Sequence, residues 1–409
     1  MTFRTALTAT AAVTGALLLA ACGPSAPAAH KAPASPTPTH PVYSKPLADR
    51  PYAALGRTKA AKNAAFTQTV TFSAKGGDAV LTTAGKLDFA ANRADGSLGW
   101  NVARGFPDAA AKALGNIDTR ERRTDQASRF VISPERIDYR AATARYWLRY
   151  DGADTFAFDP YGNEANTIKT RRGGEAAFGG TLLEVVSTVR DVEEEVLPGG
   201  ARRYRAGLAA GAAYGLLHSS VIKDGLNGTD AHTRLPMTLT TDAAGRLTAL
   251  ETDLSPLFSK EADSVLSGVT GLRVKLTLGG YDASAPSGVP AGDKVLPAGE
   301  SVVPLPKTEA GGCVDFGTGM PNWGFAVKVP CDQPHDARVF ALRPLPRGDY
   351  PGQQSARLKA RAECRSAYPA APSAWRDEAV DPGSSWYRWP SRDSWDRGVR
   401  VVTCYVLSR

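Results

Sequence analysis

The chain reads as an α+β protein: an antiparallel sheet with helices on one side, followed by a small disulfide-stapled α+β module. Three observations predict this. Leu272, Val274, Leu276 and Leu278 alternate with Arg273, Lys275 and Thr277, a period-two pattern that turns one face of a strand to a core and the other to solvent. Turn signals, Asp242-Ala243-Ala244-Gly245 and Pro198-Gly199-Gly200, separate further strand-like runs and join them as hairpins. Four cysteines, Cys313, Cys331, Cys364 and Cys404, are confined to the last quarter of the 409 residues, an even set of the kind that staples a small exported domain.

Taken in order, the chain opens on Arg4, an apolar run over residues 6–19 and the small-residue close Leu19-Ala20-Ala21-Cys22. The run has the length of a signal-peptide core and is too short for a stable membrane span. The pattern resembles the lipobox of a bacterial lipoprotein. That resemblance implies that residues 1–21 are a signal peptide, that Cys22 is the site of lipid attachment, and that the mature chain sits on the extracytoplasmic face of the cell membrane. Acyl chains on Cys22 would hold it there, at about 0.8 kcal/mol per buried methylene. The plainer reading is an ordinary cleaved signal with an incidental cysteine. Residues 22–50 are Ala, Pro, Ser, Thr and His with few large apolar side chains, so they read as an extended tether.

Residues 51–283 form the sheet-and-helix domain. Strand alternation appears in residues 66–72, in Leu87 and Phe89, in Tyr146, Leu148 and Tyr150, and in Met237 and Leu239; helices are predicted over residues 107–114 and 181–190, where Leu182, Val186 and Val189 share a face. Residues 284–311 carry Pro286, Pro290, Pro297, Pro304 and Pro306 and read as a linker. Residues 312–409 form the second domain. A chain of this length with 43% hydrophobic residues can bury two cores. Its net charge of +8 is compatible with an anionic membrane surface or wall polymer, and a plain solvated basic surface is the better account of it. Nucleic acid is excluded as a partner, because the chain reads as exported and no long Lys/Arg run makes a phosphate-tracking stripe.

The helix Thr181-Leu182-Leu183-Glu184-Val185-Val186, the hairpin leading to Tyr204-Arg205, the segment Leu235-Pro236-Met237 through Asp242-Ala243-Ala244-Gly245-Arg246-Leu247, and the final strand ending Leu278-Gly279-Gly280-Tyr281 together resemble the LppX/LprG group of actinobacterial lipoproteins, relatives of LolA-type lipid carriers. The resemblance implies a curved half-barrel sheet with helices on its concave face and an apolar cavity between them for acyl chains. In that reading Leu182, Val186, Leu239, Leu276 and Leu278 line the cavity. In the alternative they pack a filled core, and periodicity alone does not separate the two. The Ala-rich residues 208–213 and the polar excursion over residues 218–233 depart from the group's pattern.

The four late cysteines allow three connectivities, and the expected one is by local closure, Cys313 with Cys331 and Cys364 with Cys404. Zinc is not expected, because no Cys-x-x-Cys pair exists and only His335 lies near them. The run Cys331-Asp332-Gln333-Pro334-His335-Asp336-Ala337-Arg338-Val339 and the ending Trp395-Asp396-Arg397-Gly398 to Cys404 are similar to the septum-formation-related domain of actinobacterial envelope proteins. That name implies a link to cell division and no activity. His335 beside Asp336 invites a general-base reading, but no Gly-x-Ser-x-Gly elbow supplies a nucleophile, and a structural role is the better account. No catalytic residue, metal or cofactor is expected. Five of the seven tryptophans fall in this module, where packing its small core is the first use expected of them; Trp386, Tyr387 and Trp389, set in an irregular stretch, are the candidates for a partner surface.

The expected function is therefore that of a non-enzymatic envelope lipoprotein holding a hydrophobic ligand, lipid by resemblance, in its first domain and contacting a wall polymer or an envelope or septal protein through its second. The alternative is a structural or interaction lipoprotein with two filled cores.

Overall fold

The computed structural model describes residues 40–114, 127–151, 180–217, 230–258, 266–283, 285–316, 324–381 and 383–408. Cys22 and the signal-like segment lie outside them, as do most of the polar excursion and Trp323.

Twelve strands make the first sheet: β1 (Asn63–Ala74), β2 (Gly77–Asp88), β3 (Arg93–Val102), β4 (Ser128–Ile132), β5 (Arg136–Arg140), β6 (Trp147–Asp151), β7 (Arg190–Val196), β8 (Arg202–Ala209), β9 (Arg234–Thr241), β10 (Leu247–Asp253), β11 (Val269–Gly279) and β12 (Val295–Pro297). Their order is β12-β6-β5-β4-β3-β2-β1-β11-β10-β9-β8-β7, antiparallel throughout except where β12 joins β6 in parallel. The two meanders meet at β1 and β11. Register puts Thr83, Gln68, Leu276, Leu250, Leu239 and Tyr204 in one row across six strands, and all six are buried. Their strand neighbours, such as Lys275 and Thr277, face solvent, so the period-two pattern is used as the sequence predicts.

The sheet is open and curved, with helical segments on its concave face. Gly85 and Gly96 pair across β2 and β3, where a Cβ on Gly85 would lie 1.9 Å from the Asp95 carbonyl oxygen and one on Gly96 would lie 2.9 Å from the Phe130 ring. The strands approach too closely there for any side chain, and the Phe130 ring covers the gap, the usual device for bending a sheet.

Two segments pack together over the concave face, α1 (Arg50–Lys59) and a 3-10 helix, Leu182–Thr188; a third helix is α2 (Asp108–Ala113). The segment expected as an α-helix over residues 181–190 is thus 3-10 and shorter. Val185, Val186, Thr188 and Val189 are β-branched and lose side-chain freedom in an α-helix, so the tighter turn costs little here. Its start is fixed by Gln68, which reaches up from the core: Nε2 donates to the Gly180 carbonyl at 2.9 Å and Oε1 accepts from the Leu182 amide at 3.0 Å. Replacing Gln68 by alanine leaves a buried amide and carbonyl without partners. The expected loss is about 2 kcal/mol, read as a lower midpoint in chemical denaturation; an unchanged midpoint would mean that the clamp is idle.

The tether read over residues 22–50 ends earlier in the structure. Residues 40–50 lie on the fold, with Val42 and Tyr43 buried in the main core. The Tyr43 hydroxyl bonds Thr241 Oγ1 (3.1 Å) and donates to the Asp242 carbonyl, and Arg50 pairs with Glu194. Two large apolar side chains and one charge pair suffice to hold a stretch whose average composition is that of a linker.

A second sheet contains β13 (Val302–Pro304), β14 (Cys313–Asp315), β15 (Phe325–Val329), β16 (Ala337–Pro344), β17 (Trp386–Arg388) and β18 (Val401–Leu407) in the order β13-β15-β14-β16-β18-β17. Helix α3 (Gln353–Ala367) covers one face through Ala356, Ala360, Cys364 and Ala367. Residues 284–311, linker-like in composition, contribute β12 to the first sheet and β13 to the second. Cys313, Val327 and Val329 of the second module also belong to the first module's core cluster. The modules are fused by shared packing.

Candidate functional site

The five side chains read as cavity lining do converge. Leu239 and Leu276 lie in the buried row, Leu278 lies two residues further along β11, and Leu182 and Val186 face them from the 3-10 helix; all five are buried in one cluster. On the outer side of that helix is a cleft of about 520 Å3, lined by Ala48, Asp49, Pro51, Tyr52, Val186, Ser187, Val189 and Arg190. Val186 belongs to both the core and the cleft. The cleft mixes apolar walls (Ala48, Pro51, Val186, Val189) with polar groups (Asp49, Ser187, Arg190), the make-up of a site for an amphiphile, and its size is that of a small-molecule site. The Arg190 guanidinium donates to the Ser187 and Val189 carbonyls at 3.2 and 2.7 Å, fixing the end of the 3-10 helix.

Near the same edge, charge is gathered around Glu194, which pairs with Arg50 and sits 3.6 Å from Arg202; Arg202 in turn lies 4.7 Å from the centre of the Tyr43 ring. Burial and the neighbouring Glu194 carboxylate push the Tyr204 hydroxyl well above the ordinary phenol range, so it stays protonated under all ordinary conditions. These groups anchor the N-terminal segment that walls the cleft.

In the second module the bridges join Cys313 to Cys331 and Cys364 to Cys404. His335 and Asp336 point apart. His335 Nδ1 is 2.8 Å from the Gln333 carbonyl oxygen, and its Nε2 lies 4.0 Å from Glu378, a carboxylate held bidentately by Arg338 (2.7 and 2.8 Å). Asp336 accepts instead from Arg145 (2.5 Å) and from the Phe316 amide (2.9 Å). The adjacent side chains thus meet different partners, His335 on the Glu378 side and Asp336 on the Arg145 side. Of the aromatic candidates, Trp386 is 52% exposed on the edge strand β17, whereas Tyr387 and Trp389 are half-buried and pack against the core beneath α3.

Residues 303–404 match the family described as septum formation. The match begins at Val303, inside β13, so the family boundary takes in the strand that composition hides in a Pro-rich stretch. No curated protein matches. Among solved structures, the lipoprotein LppX of Mycobacterium tuberculosis is similar at 12% identity and a TM-score of 0.32, over 57% of this chain and 93% of that one. An uncharacterized conserved protein from Thermus thermophilus follows at 11% identity and 0.26, over 60% of this chain and 98% of that one. A DUF1329 family protein from Desulfovibrio piger matches at 10% identity and 0.20, over 60% and 95% of the two chains. Both resemblances read from the sequence thus return in the comparisons.

Sequence reasoning missed Gln68, Arg145 and the Arg338–Glu378 pair. Gln68 alone left a trace, as the one polar residue at an inward position of the run Phe66, Gln68, Val70, Phe72.

Proposed function

We propose that this chain is a non-enzymatic lipoprotein of the cell envelope, anchored through acylated Cys22, that carries a hydrophobic ligand of lipid type in its first module and meets a wall polymer or envelope protein through its second. The observation that supports carriage best is the cleft between the N-terminal segment and the 3-10 helix, because Val186 connects it with the buried side chains of the concave face. An acyl chain entering there exchanges water for the apolar part of the lining, Ala48, Pro51, Val186 and Val189, at about 25 cal/mol per Å2 of apolar surface covered. The carrier then works by burial and release, without bond-making. The septum-formation match over residues 303–404 supports an envelope role for the second module, with the exposed Trp386 as its candidate contact.

The test is to express the chain from residue 22 with Cys22→Ala and examine it by native mass spectrometry after purification and after incubation with phospholipid vesicles. A stoichiometric lipid adduct is the expected result, and it should be lost in Ala48→Trp, which places an indole in the cleft at an exposed position. A bare mass under both conditions would leave only the ligand-free adaptor. Palmitate labelling of the full chain in cells tests the anchor separately.

A further inference from the structure

The outward face of α3 is built in a way that its own fold does not explain. Arg357, Arg361 and Arg365 follow one another at four-residue spacing, all exposed, and none takes part in an ion pair among the described residues. Like charges at that spacing repel along a helix and cost stability. Leu358 is 59% exposed and stands on the same side as Arg361 and Arg365, three and seven residues on, opposite the buried Ala356, Ala360 and Cys364. An uncompensated cationic row with a large apolar side chain in its midst asks for a partner that offers negative charge and an apolar layer together.

We propose that the outward face of α3 lies against anionic phospholipid headgroups, with Leu358 reaching the acyl boundary. A wall polymer matches the arginines but offers nothing to Leu358. A bilayer matches both. The choice of the chain's own membrane rests on the anchored reading above, in which an acyl group on Cys22 fastens the chain to that surface. Surface contact would hold the second module flat on the membrane while the acyl group fixes the N-terminus, giving two attachments in one chain.

The measurement uses the unacylated chain from residue 22 with Cys22→Ala, so the surface contact is read without the anchor and its failure is distinct from failure of palmitate labelling. Co-sedimentation is expected with vesicles of equimolar phosphatidylglycerol and phosphatidylcholine at low ionic strength, weakening steeply with added salt, and not with phosphatidylcholine alone. The combined change Arg357→Gln, Arg361→Gln and Arg365→Gln should lower partitioning about 100-fold. Leu358→Ser should lower it about tenfold. The corresponding triple change to lysine keeps the charge and should bind as the parent does, which separates charge from folding; near-ultraviolet circular dichroism checks the glutamine variant directly. Equal binding by the glutamine variant and the parent overturns the proposal. So does equal binding to neutral vesicles, or capture by soluble polyphosphate with none by vesicles.

Discussion

Removing the Cys364–Cys404 bridge with a paired change to alanine is expected to destabilise the second module by about 4 kcal/mol and to free α3 from its sheet. The bridge spans 40 residues, against 18 for Cys313–Cys331, and loop-closure entropy alone assigns about 4 kcal/mol to the first and about 3 kcal/mol to the second. Local chemistry widens the difference. Helix α3 turns only Ala356, Ala360, Ala367 and the bridged Cys364 to the core, so it buries few methylene groups, while its outer row of arginines works against it. With so little apolar surface, the covalent tie carries much of the attachment. Both sulfurs are fully buried beside Val402 and Val406, so the substitution also leaves unfilled space. Guanidinium unfolding of the two paired variants decides the matter: if the one lacking Cys313–Cys331 is the less stable, the account of α3 is wrong. The expected readout in the Cys364/Cys404 variant is an early loss of near-ultraviolet signal from Trp395 and the aromatic side chains around α3.

What could be read in advance follows from how local each signal is. The strand β11 was legible because four inward leucine and valine side chains alternate with polar ones within seven residues, and the β9–β10 and β7–β8 hairpins were legible because Gly245 and Gly199 adopt the positive φ their turns need. Disulfide pairing was legible because both loops close locally. The features that position the site are not local. Gln68 meets a backbone amide 114 residues away, so along the sequence it looks like a polar blemish in an apolar run. The strands β12 and β13 are three residues each and sit among prolines, and only their partners, β6 and β15, make them strands. Likewise nothing in the composition of residues 40–50 distinguishes Tyr43 and Arg50 from tether, since their value lies in Thr241 and Glu194 across the fold.

Arg145→Ala is expected to loosen the two modules from each other at a cost of about 3 kcal/mol. Arg145 precedes β6 in the first module and directs one guanidinium nitrogen at both Asp315 (2.8 Å) and Asp336 (2.5 Å) of the second. Burial alone would lower its pKa, but the hydrogen bonds and charges of the two carboxylates outweigh that and raise it, so the pair state is fixed throughout the physiological range. Asp315 is 3% exposed at its side chain, and removing the cation that faces a buried carboxylate is far costlier than the pair itself is worth; the partial exposure of Arg145 puts the effect at the lower end of that range. If the carboxylate is the reason, Asp315→Asn in the Arg145→Ala background should recover part of the loss, whereas on its own it should destabilise. Arg145→Lys should recover most of it, because one nitrogen already serves both carboxylates and the three N–H groups of an ammonium can do the same. The decisive comparison is the double-mutant cycle read by thermal unfolding, together with limited proteolysis across residues 284–311, which should quicken in Arg145→Ala. Strict additivity of the two substitutions, or unchanged proteolysis, would show that the shared core of Cys313, Val327 and Val329 holds the junction without the charge pin, and that the fusion of the modules is a matter of apolar packing alone.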